Sequence, residues 1–356
     1  MTGSFSGSIT HAVSASYAVT ASYALNVIPL SASLTTTDQA ISSSVAALSG
    51  SASDARNAIS FDSFPYTGSA EITGSLGITG SVSFSTAVAS SGPGAWSTGG
   101  AMTTGRCQLG GAGTQTAGLA FGGRTSTLVS CTEEYNGSSW SAGGALATAR
   151  CGLAGAGTQT AGLAFGGNES LSESTCTEEY NGTSWSAGGA LINAAGNLAG
   201  AGTQTAGLAF GGDTDPGKKA LTESWNGSAW TEVNDLNTAR EQMAGFGTST
   251  SSLASGGNAP PRTAVTEEWN GTNWTEVNDL NTARNQLAGT GTNTAALAFG
   301  GSEGAQTETW NGTNWTEVNN LNTARGSLAG SGSNTACIAI AGDAPPQVAN
   351  VELWNG

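Results

Sequence analysis

The sequence lacks most of the side-chain chemistry on which hydrolases and metalloenzymes depend. It contains a single histidine, His11, and neither an HExxH nor a Walker sequence. With one imidazole near the start of the chain, the remainder can form neither a histidine-ligated metal centre nor a Ser-His-Asp triad. We therefore expect no catalytic residues, no metal site and no cofactor.

Positive charge is also scarce. Ten Lys and Arg residues face 25 Asp and Glu residues, which gives a formal net charge of −15. A nucleic-acid groove needs clustered basic residues to displace counterions, so we expect no nucleic-acid partner. The chain has no apolar run of 18 residues and no basic-then-apolar leader at Met1, which predicts neither membrane insertion nor a secretory signal.

Cysteine is present but shows no framework spacing. Four of the five cysteines occupy two repeated positions, and no CxxC occurs. Duplication of a repeat therefore accounts for them, and we expect free, mostly buried thiols rather than disulfides. The four are Cys107 with Cys151, and Cys131 with Cys176; the fifth is Cys337.

What the chain does have is a repeat. An aromatic residue, Asn-Gly, two residues and a Trp recur five times, as in WNGTNW at 269–274. This pattern predicts a hairpin whose Asn and Gly take the positive φ values of a type I′ turn. Counting the Trp of PGAW at 93–96, six tryptophans recur 41 to 45 residues apart, a period typical of propeller blades or solenoids. They are Trp96, Trp140, Trp185, Trp230, Trp274 and Trp315.

Each period predicts four strands, here named a to d in chain order. In the second period, strand a follows the Arg (152–157), strand b ends in Gly-Gly (161–167), strand c carries Thr-Glu before the aromatic, and strand d carries the Trp. The last period lacks strand d, whereas the segment around Trp96 is a strand d without its own period. Pairing this segment with Val351–Asn355 would close a ring of six blades and leave no open sheet edge. The predicted fold class is therefore mainly β, a six-bladed β-propeller of four-stranded blades over 92–356.

The same residues resemble the kelch repeat of β-propellers. The features shared with it are a Gly-Gly pair after a small apolar strand, then Glu before an aromatic, then a Trp. Two departures make a divergent kelch-like family the better description: the aromatic-to-Trp spacing is tighter, and the sixth pair is Ala341-Gly342. The five Gly-Gly pairs begin at Gly122, Gly166, Gly211, Gly256 and Gly300.

The residues before the ring have a different composition. Residues 1–33 hold Ser-Ala-Tyr cycles that cannot form a core of their own, which predicts a docking segment for a partner. Residues 34–60 carry apolar residues at heptad spacing, which favours a short coiled coil over a single amphipathic helix. Residues 61–91 alternate apolar and small polar residues, as in a β-rich shaft and linker. The heptad positions are Leu34, Ile41, Val45, Leu48, Ala52, Ala55 and Ile59.

This N-terminal composition resembles the Ala-Ser-Tyr-rich starts of tailed-phage structural proteins, particularly fibres. The resemblance implies an extended fibrous segment that forms a homo-oligomer, expected to be a trimer, through residues 1–91. It also implies other virion proteins as partners of the N-terminus and a location on the virion surface, after assembly in the host cytoplasm.

A Glu and an Arg recur in nearly every blade. A position repeated around a ring is typical of scaffold, so we expect these residues to pair with each other rather than to act in catalysis. The third blade departs from the pattern because Ala195 stands where Arg is expected, so Glu178 or Glu223 must find another partner. The glutamates are Glu133, Glu178, Glu223, Glu267, Glu308 and Glu352, and the arginines are Arg106, Arg150, Arg240, Arg284 and Arg325.

The b-to-c loops vary in length and letters, whereas the turns at the other ends of the strands repeat almost unchanged. Variable loops on a rigid scaffold are where recognition is usually placed. Together with what the N-terminal resemblance implies, these loops favour a phage fibre or head or tail appendage whose propeller binds a host-surface glycan or protein. A secreted or surface bacterial lectin-like adhesin is the alternative, and a glycan-active enzyme is the third hypothesis. The candidate ligand-binding residues are Arg124, Asn168, Asp213, Lys218, Lys219, Asn258, Arg262 and Asp343.

Overall fold

The computed structural model describes residues 94–356 except 171, 215, 216 and 303, and the backbone of four short strands before them. Those strands are β1 (Gly7–Ile9), β2 (Leu30–Thr36), β3 (Gln39–Val45) and β4 (Ile72–Gly74). The chain divides into two compact units, Met1–Val88 and Ala89–Gly356.

In the first unit, β1 pairs with β4 and β2 pairs with β3, both antiparallel. The backbone is thus extended where β2 and β3 overlap the start of the segment predicted as a coiled coil. Ile41 and Val45 lie four residues apart, a spacing that fits the period of a strand as well as that of a helix. Residues 46–60 lie outside the part of the chain that the structure describes. Most of the predicted docking segment (1–33) and most of the predicted shaft (61–91) lie outside it as well. The docking segment, coiled coil and shaft stay predictions.

The second unit is a β-propeller of six four-stranded antiparallel blades, as the repeat predicts. Within each blade the strands pair in chain order, so strand a is central and strand d is outermost.

Blade 1 is β6 (Gly110–Gly113), β7 (Gly118–Phe121), β8 (Thr132–Tyr135) and β9 (Trp140–Gly143). Blade 2 is β10 (Ala154–Thr158), β11 (Ala161–Phe165), β12 (Thr177–Tyr180) and β13 (Trp185–Ala187). Blade 3 is β14 (Ala199–Thr203), β15 (Ala206–Phe210), β16 (Thr222–Trp225) and β17 (Trp230–Val233). Blade 4 is β18 (Ala244–Thr248), β19 (Ser251–Ser255), β20 (Thr266–Trp269) and β21 (Trp274–Val277). Blade 5 is β22 (Ala288–Gly291), β23 (Ala296–Phe299), β24 (Thr307–Trp310) and β25 (Trp315–Val318).

Blade 6 closes the ring with strands from both ends of the unit. It consists of β26 (Ala329–Gly332), β27 (Ala336–Ile340), β28 (Val351–Asn355) and β5 (Ala95–Thr98). Strand β28 pairs antiparallel with β5, and Trp354 lies opposite Trp96. The prediction that the Trp96 segment supplies the missing strand d is confirmed.

Tryptophans join neighbouring blades. The indole of Trp230 in blade 3 packs against Phe165 of blade 2, with ring centroids 5.0 Å apart, and its Nε1 donates to Thr177 Oγ1 at 2.9 Å. The same donation recurs at four more interfaces. At the interface between blades 6 and 1, Val351 has no hydroxyl, and Trp140 Nε1 donates to Gly100 O instead. Each buried indole N–H therefore finds an acceptor. The four other pairs are Trp96 with Thr307, Trp185 with Thr132, Trp274 with Thr222, and Trp315 with Thr266.

The repeated Arg and Glu residues pair with each other, as predicted, and the structure shows that each pair lies within one blade. Arg284 Nη1 lies 2.6 Å from Glu308 Oε1, both side chains are fully buried, and Arg284 Nη2 donates to Ala298 O. Five blades contain this pair, which therefore belongs to the scaffold. The other pairs are Arg106 with Glu133, Arg150 with Glu178, Arg240 with Glu267, and Arg325 with Glu352.

The turn prediction is wrong in one respect. Only the Gly of each Asn-Gly has a positive φ, 89° at Gly271, whereas Asn270 does not. Trp269 pairs with Trp274, so four residues separate the paired positions. Asn270 Oδ1 accepts hydrogen bonds from the backbone N–H groups of Thr272 and Asn273, both at 2.9 Å. The Asn therefore closes the loop with its side chain, as in an Asx turn, and needs no left-handed backbone.

No helix long and apolar enough to cross a membrane occurs among the residues that the structure describes.

Candidate functional site: the loop face of the propeller

The propeller has two chemically different faces. Because neighbouring strands are antiparallel, the b-to-c loops and the d-to-a segments lie on one face, here called the loop face. The a-to-b turns lie on the opposite face and join blades: Gln204 Nε2 donates to Gly162 O and Tyr180 O of the preceding blade. Gln115 and Gln159 make equivalent bonds, so three of the six a-to-b turns join neighbouring blades in this way.

A closed circle of six backbone hydrogen bonds surrounds the centre of the loop face. Each blade contributes the residue that lies two positions before its strand a, and its N–H donates at 2.8 Å to the carbonyl of the same position in the preceding blade. Every one of these residues has a left-handed backbone, with φ from 52° to 61°. The hydrogen bonds of the circle offset the free-energy cost of the left-handed backbone conformation at its glutamine and asparagine residues. Its members are Gln108, Gly152, Asn197, Gln242, Gln286 and Ser327.

This circle forms the wall of a cavity of about 110 Å³ at the mouth of the central channel. The wall carries three Gln side chains, one Asn and one Ser, and none of these is charged. Beneath them lies an apolar floor with one side chain from each blade: Leu109, Leu153, Leu198, Met243, Leu287 and Leu328. The mouth therefore combines amide donors and acceptors with an apolar surface. We call this cavity the channel mouth.

Five of the predicted ligand-binding residues occupy one repeated position beside the circle. Each lies directly after a Gly-Gly pair, or after Ala341-Gly342 in blade 6, and forms a β-bridge with the residue just before a circle member, as Asp213 does with Gly196. The five copies of this position therefore lie around the channel mouth, and the side chain is Arg, Asn or Asp, depending on the blade. Its occupants among the predicted residues are Arg124, Asn168, Asp213, Asn258 and Asp343.

Blades 3 and 4 contribute a polar network next to the channel mouth. Asn197 Nδ2 donates to Asp213 Oδ1 at 3.1 Å. Burial, and then the nearby negative charge of Glu241, raises the pKa of Asp213 to about 6. Glu241 is itself paired with Lys218 and accepts a hydrogen bond from Asn258 Nδ2 at 2.9 Å. The structure thus brings together three predicted residues, Asp213, Lys218 and Asn258, around a glutamate that the sequence analysis did not single out.

The remaining predicted residues are more dispersed. Arg262 Nη1 donates to Ser302 Oγ of the next blade at 2.9 Å. Lys219 lines a separate cavity inside blade 3 together with Glu223 and Ala195, and does not line the channel mouth. Arg124 and Asp343 both lie near Cys107, whose pKa is raised by burial first and then by the charge of Asp343.

The cysteines take no part in a disulfide. All five are free, and Cys107, Cys151 and Cys337 are buried. Burial raises the pKa of each of these three thiols, well above its ordinary value for Cys337, which keeps them protonated and unreactive at neutral pH.

Sequence reasoning missed the circle residues and Glu241. A signal was present, since each circle residue lies immediately before the Leu or Met that precedes a small-residue run, in RCQLGG and REQMAG for example. Only closure of the ring shows that these residues meet at a common centre.

Within the described residues, no cluster of three or more His, Cys, Asp or Glu side chains could hold a metal ion. No protein-family model matches this chain, and none of the curated proteins matches it either.

Proposed function

We propose that this protein is a binding protein that recognises a surface glycan with the loop face of its propeller, and that the channel mouth holds the end of the glycan. The observation that carries this proposal is the composition of the mouth, an uncharged amide ring above an apolar floor at the centre of the variable loops.

This composition matches the surface of a neutral sugar. A pyranose presents hydroxyl groups around its rim, which both donate and accept hydrogen bonds, as side-chain amides do. It also presents C–H groups on its faces, which pack against apolar side chains. No charged side chain lines the mouth, so it favours a neutral sugar at the end of the glycan. The charged loop residues around the mouth would contact the sugars that precede this terminal one.

We further propose that residues 1–91 form an oligomeric stem on a phage virion and that the propeller belongs to a divergent kelch-like family. The support is the Ser-Ala-Tyr composition of 1–33 and the heptad spacing of 34–60. Three heads on one stem would multiply weak binding to a surface that carries many copies of one glycan. A bacterial surface adhesin is the alternative for the same loop face.

The polar network gives less support to a glycan-active enzyme. The carboxyls of Asp213 and Glu241 come from different blades, as a hydrolase would need, and the pKa of Asp213 is raised. However, Glu241 is held by Lys218 and Asn258, and its carboxyl interacts directly with that of Asp213. Glycosidases instead separate their two carboxyls by roughly 5 to 9.5 Å so that a sugar bond lies between them.

The proposal is tested by binding the full-length protein to a glycan array and comparing variants. Replacing Gln108 and Gln286 by Ala removes amides from the mouth, and we expect this to weaken binding at least about tenfold, since each lost hydrogen bond contributes about 1 kcal/mol. Replacing Lys218, Lys219 and Arg262 by Ala tests the loops around the mouth in the same assay.

The control is Thr160→Ala, an exposed position in an a-to-b turn on the opposite face. Thermal unfolding shows that each variant is folded, and the control should bind as the wild type does. If both the mouth variant and the loop variant bind every glycan as strongly as the wild type, the loop face is not the recognition surface.

A further inference from the structure

Blade 3 contains a buried carboxylate whose cationic partner has been lost. In five blades, an arginine lies against the carboxylate of strand c and is at most 2% exposed. In blade 3 the corresponding residue is Ala195, while Glu223 remains, 3% exposed. Among the described residues no Lys or Arg lies within ion-pair distance of Glu223. A buried carboxylate without a cation is costly, so this blade departs from its neighbours in an unfavourable direction.

The neighbouring blades show how a guanidinium fits this place. In blade 4, Arg240 Nη1 pairs with Glu267, and its Nη2 donates to Ala254 O at 3.0 Å. In blade 5, Arg284 makes the same two contacts with Glu308 and Ala298. The template is thus one carboxylate plus one carbonyl from the residue that pairs with it across the sheet.

Blade 3 keeps both halves of this template. Glu223 pairs across the sheet with Ala209, as Glu267 does with Ala254. Ile192 N donates to Glu223 Oε2 at 2.8 Å, and Asn193 N and Nδ2 donate to Oε1 at 2.9 and 3.3 Å, so these groups hold the carboxylate in place without the arginine. The acceptors are therefore fixed, and Glu223 has neutral donors where the other blades also have a guanidinium.

A cavity lies where the arginine side chain would be. It is lined by Glu223, Ala209, Ala195, Asn193, Leu198 and Lys219, among others. Its free volume of about 10 Å³ holds about one water molecule. A guanidinium group is larger than this volume, so a site for it here requires Lys219, the long flexible side chain of the lining, to move outward. Ile192, beside the cavity, is 54% exposed and is the one large hydrophobic side chain among the described residues that is so exposed.

We propose that this cavity is a binding site for an alkylguanidinium group, such as the side chain of an arginine on a partner. The guanidinium would take the place of the lost arginine, pairing with Glu223 and donating to Ala209 O, while Ile192 contacts the alkyl part. We call this cavity the blade 3 vacancy. The inference does not rest on the glycan proposal: the vacancy and the channel mouth share only Leu198 among their lining residues, and Lys219 is the one residue changed in the tests of both.

The test is thermal unfolding of the full-length protein during titration with methylguanidinium chloride, with methylammonium chloride at equal ionic strength as the reference salt. The wild type is compared with two variants: Ala195→Arg, which fills the vacancy with a side chain of the protein itself, and Arg240→Ala, which creates the same vacancy in blade 4. A ligand that binds only the folded state raises the midpoint in a saturable way.

We expect methylguanidinium to raise the midpoint of the wild type and of Arg240→Ala. Ala195→Arg should unfold at a higher temperature than the wild type and should bind at least about tenfold more weakly at blade 3. If Arg240→Ala responds and the wild type does not, or if Ala195→Arg responds as strongly as the wild type, the proposal is overturned.

Two further variants keep the test decisive if Arg240→Ala does not fold. Lys219→Ala should bind methylguanidinium more tightly, because no side chain must be displaced, and Glu223→Gln should bind it at least about tenfold more weakly, because a charged partner is lost. Equal binding by both variants would contradict the site. Titration with N-acetyl-arginine amide then distinguishes the sources: saturable binding supports an arginine side chain, and its absence overturns that source in favour of a small free alkylguanidine.

Discussion

At the scale of single residues, the polar network beside the channel mouth makes stability depend on pH. Asp213 is half-buried and faces Glu241, Glu173 and Asn197, while Lys218, which forms a β-bridge with Asp213, pairs with Glu241. Burial and then the charge of Glu241 raise the pKa of Asp213 to about 6. The folded protein therefore binds this proton more tightly than the unfolded chain, whose aspartates have a pKa of about 4.

It follows that Asp213 favours the folded state at low pH and that this contribution is lost as the pH rises from about 4 to about 6. We expect Asp213→Asn to remove that part of the pH dependence and to be more stable than the wild type above pH 7. Urea unfolding at a series of pH values measures this. Asp213→Glu, which keeps a carboxyl group, should keep the slope; a slope unchanged in Asp213→Asn would contradict the assignment.

At the scale of elements, the hairpin between strands c and d is defined by a side chain rather than by a special backbone. The carboxamide oxygen of Asn270 accepts two backbone N–H groups, and the following Gly271 supplies the one positive φ. The repeats at Asn136, Asn181, Asn226 and Asn311 make the same bonds. In each of these turns, the acceptor oxygen of the Asn side chain therefore defines the conformation.

Replacing Asn270 by Ala removes that acceptor, and we expect a loss of about 1 kcal/mol in the free energy of unfolding. Asn270→Asp presents an oxygen at the same place and serves as the matched control. Both are measured by urea unfolding. An Asp variant as unstable as the Ala variant would show that the oxygen is not what stabilises the turn.

At the scale of the whole molecule, the propeller depends on one pairing between the two ends of its sequence. Strand β5 supplies the outer strand of blade 6, and Trp96 packs against Trp354 and Phe299. Without β5, the backbone of β28 would be an unpaired sheet edge, which is a common cause of aggregation.

Truncation tests this closure and the proposed stem together. We expect the full chain to have three times the mass of one chain in solution, and a chain that begins at Ser91 to be a folded monomer. A chain that begins at Ala101, without β5, should aggregate or unfold at much lower temperature. Light scattering and thermal unfolding measure these outcomes. A full-length monomer would remove the fibre proposal, and a stable chain from Ala101 would refute the role of β5.

Much of this architecture could be predicted because the sequence repeats it. Six spaced tryptophans, the Gly-Gly pairs and the unmatched segment at Trp96 predicted the number of blades and the closure. The repeated Glu and Arg residues could be assigned to the scaffold because the Glu recurs in all six blades and the Arg in five. Such local patterns determine strands and turns because they depend on neighbours in the chain.

The tertiary structure alone decided which residues meet at the centre and which carboxylate in blade 3 is left without its arginine. Gln108 and Gln286 are 178 residues apart in sequence, yet both line one mouth because the ring brings equivalent positions to one axis. The sequence showed that Ala195 replaces an arginine but left open whether Glu178 or Glu223 loses its partner; the structure shows that it is the buried Glu223 and that a cavity lies beside it. A repeated sequence specifies each blade through short-range contacts, whereas a site shared by blades exists only once long-range packing has closed the circle.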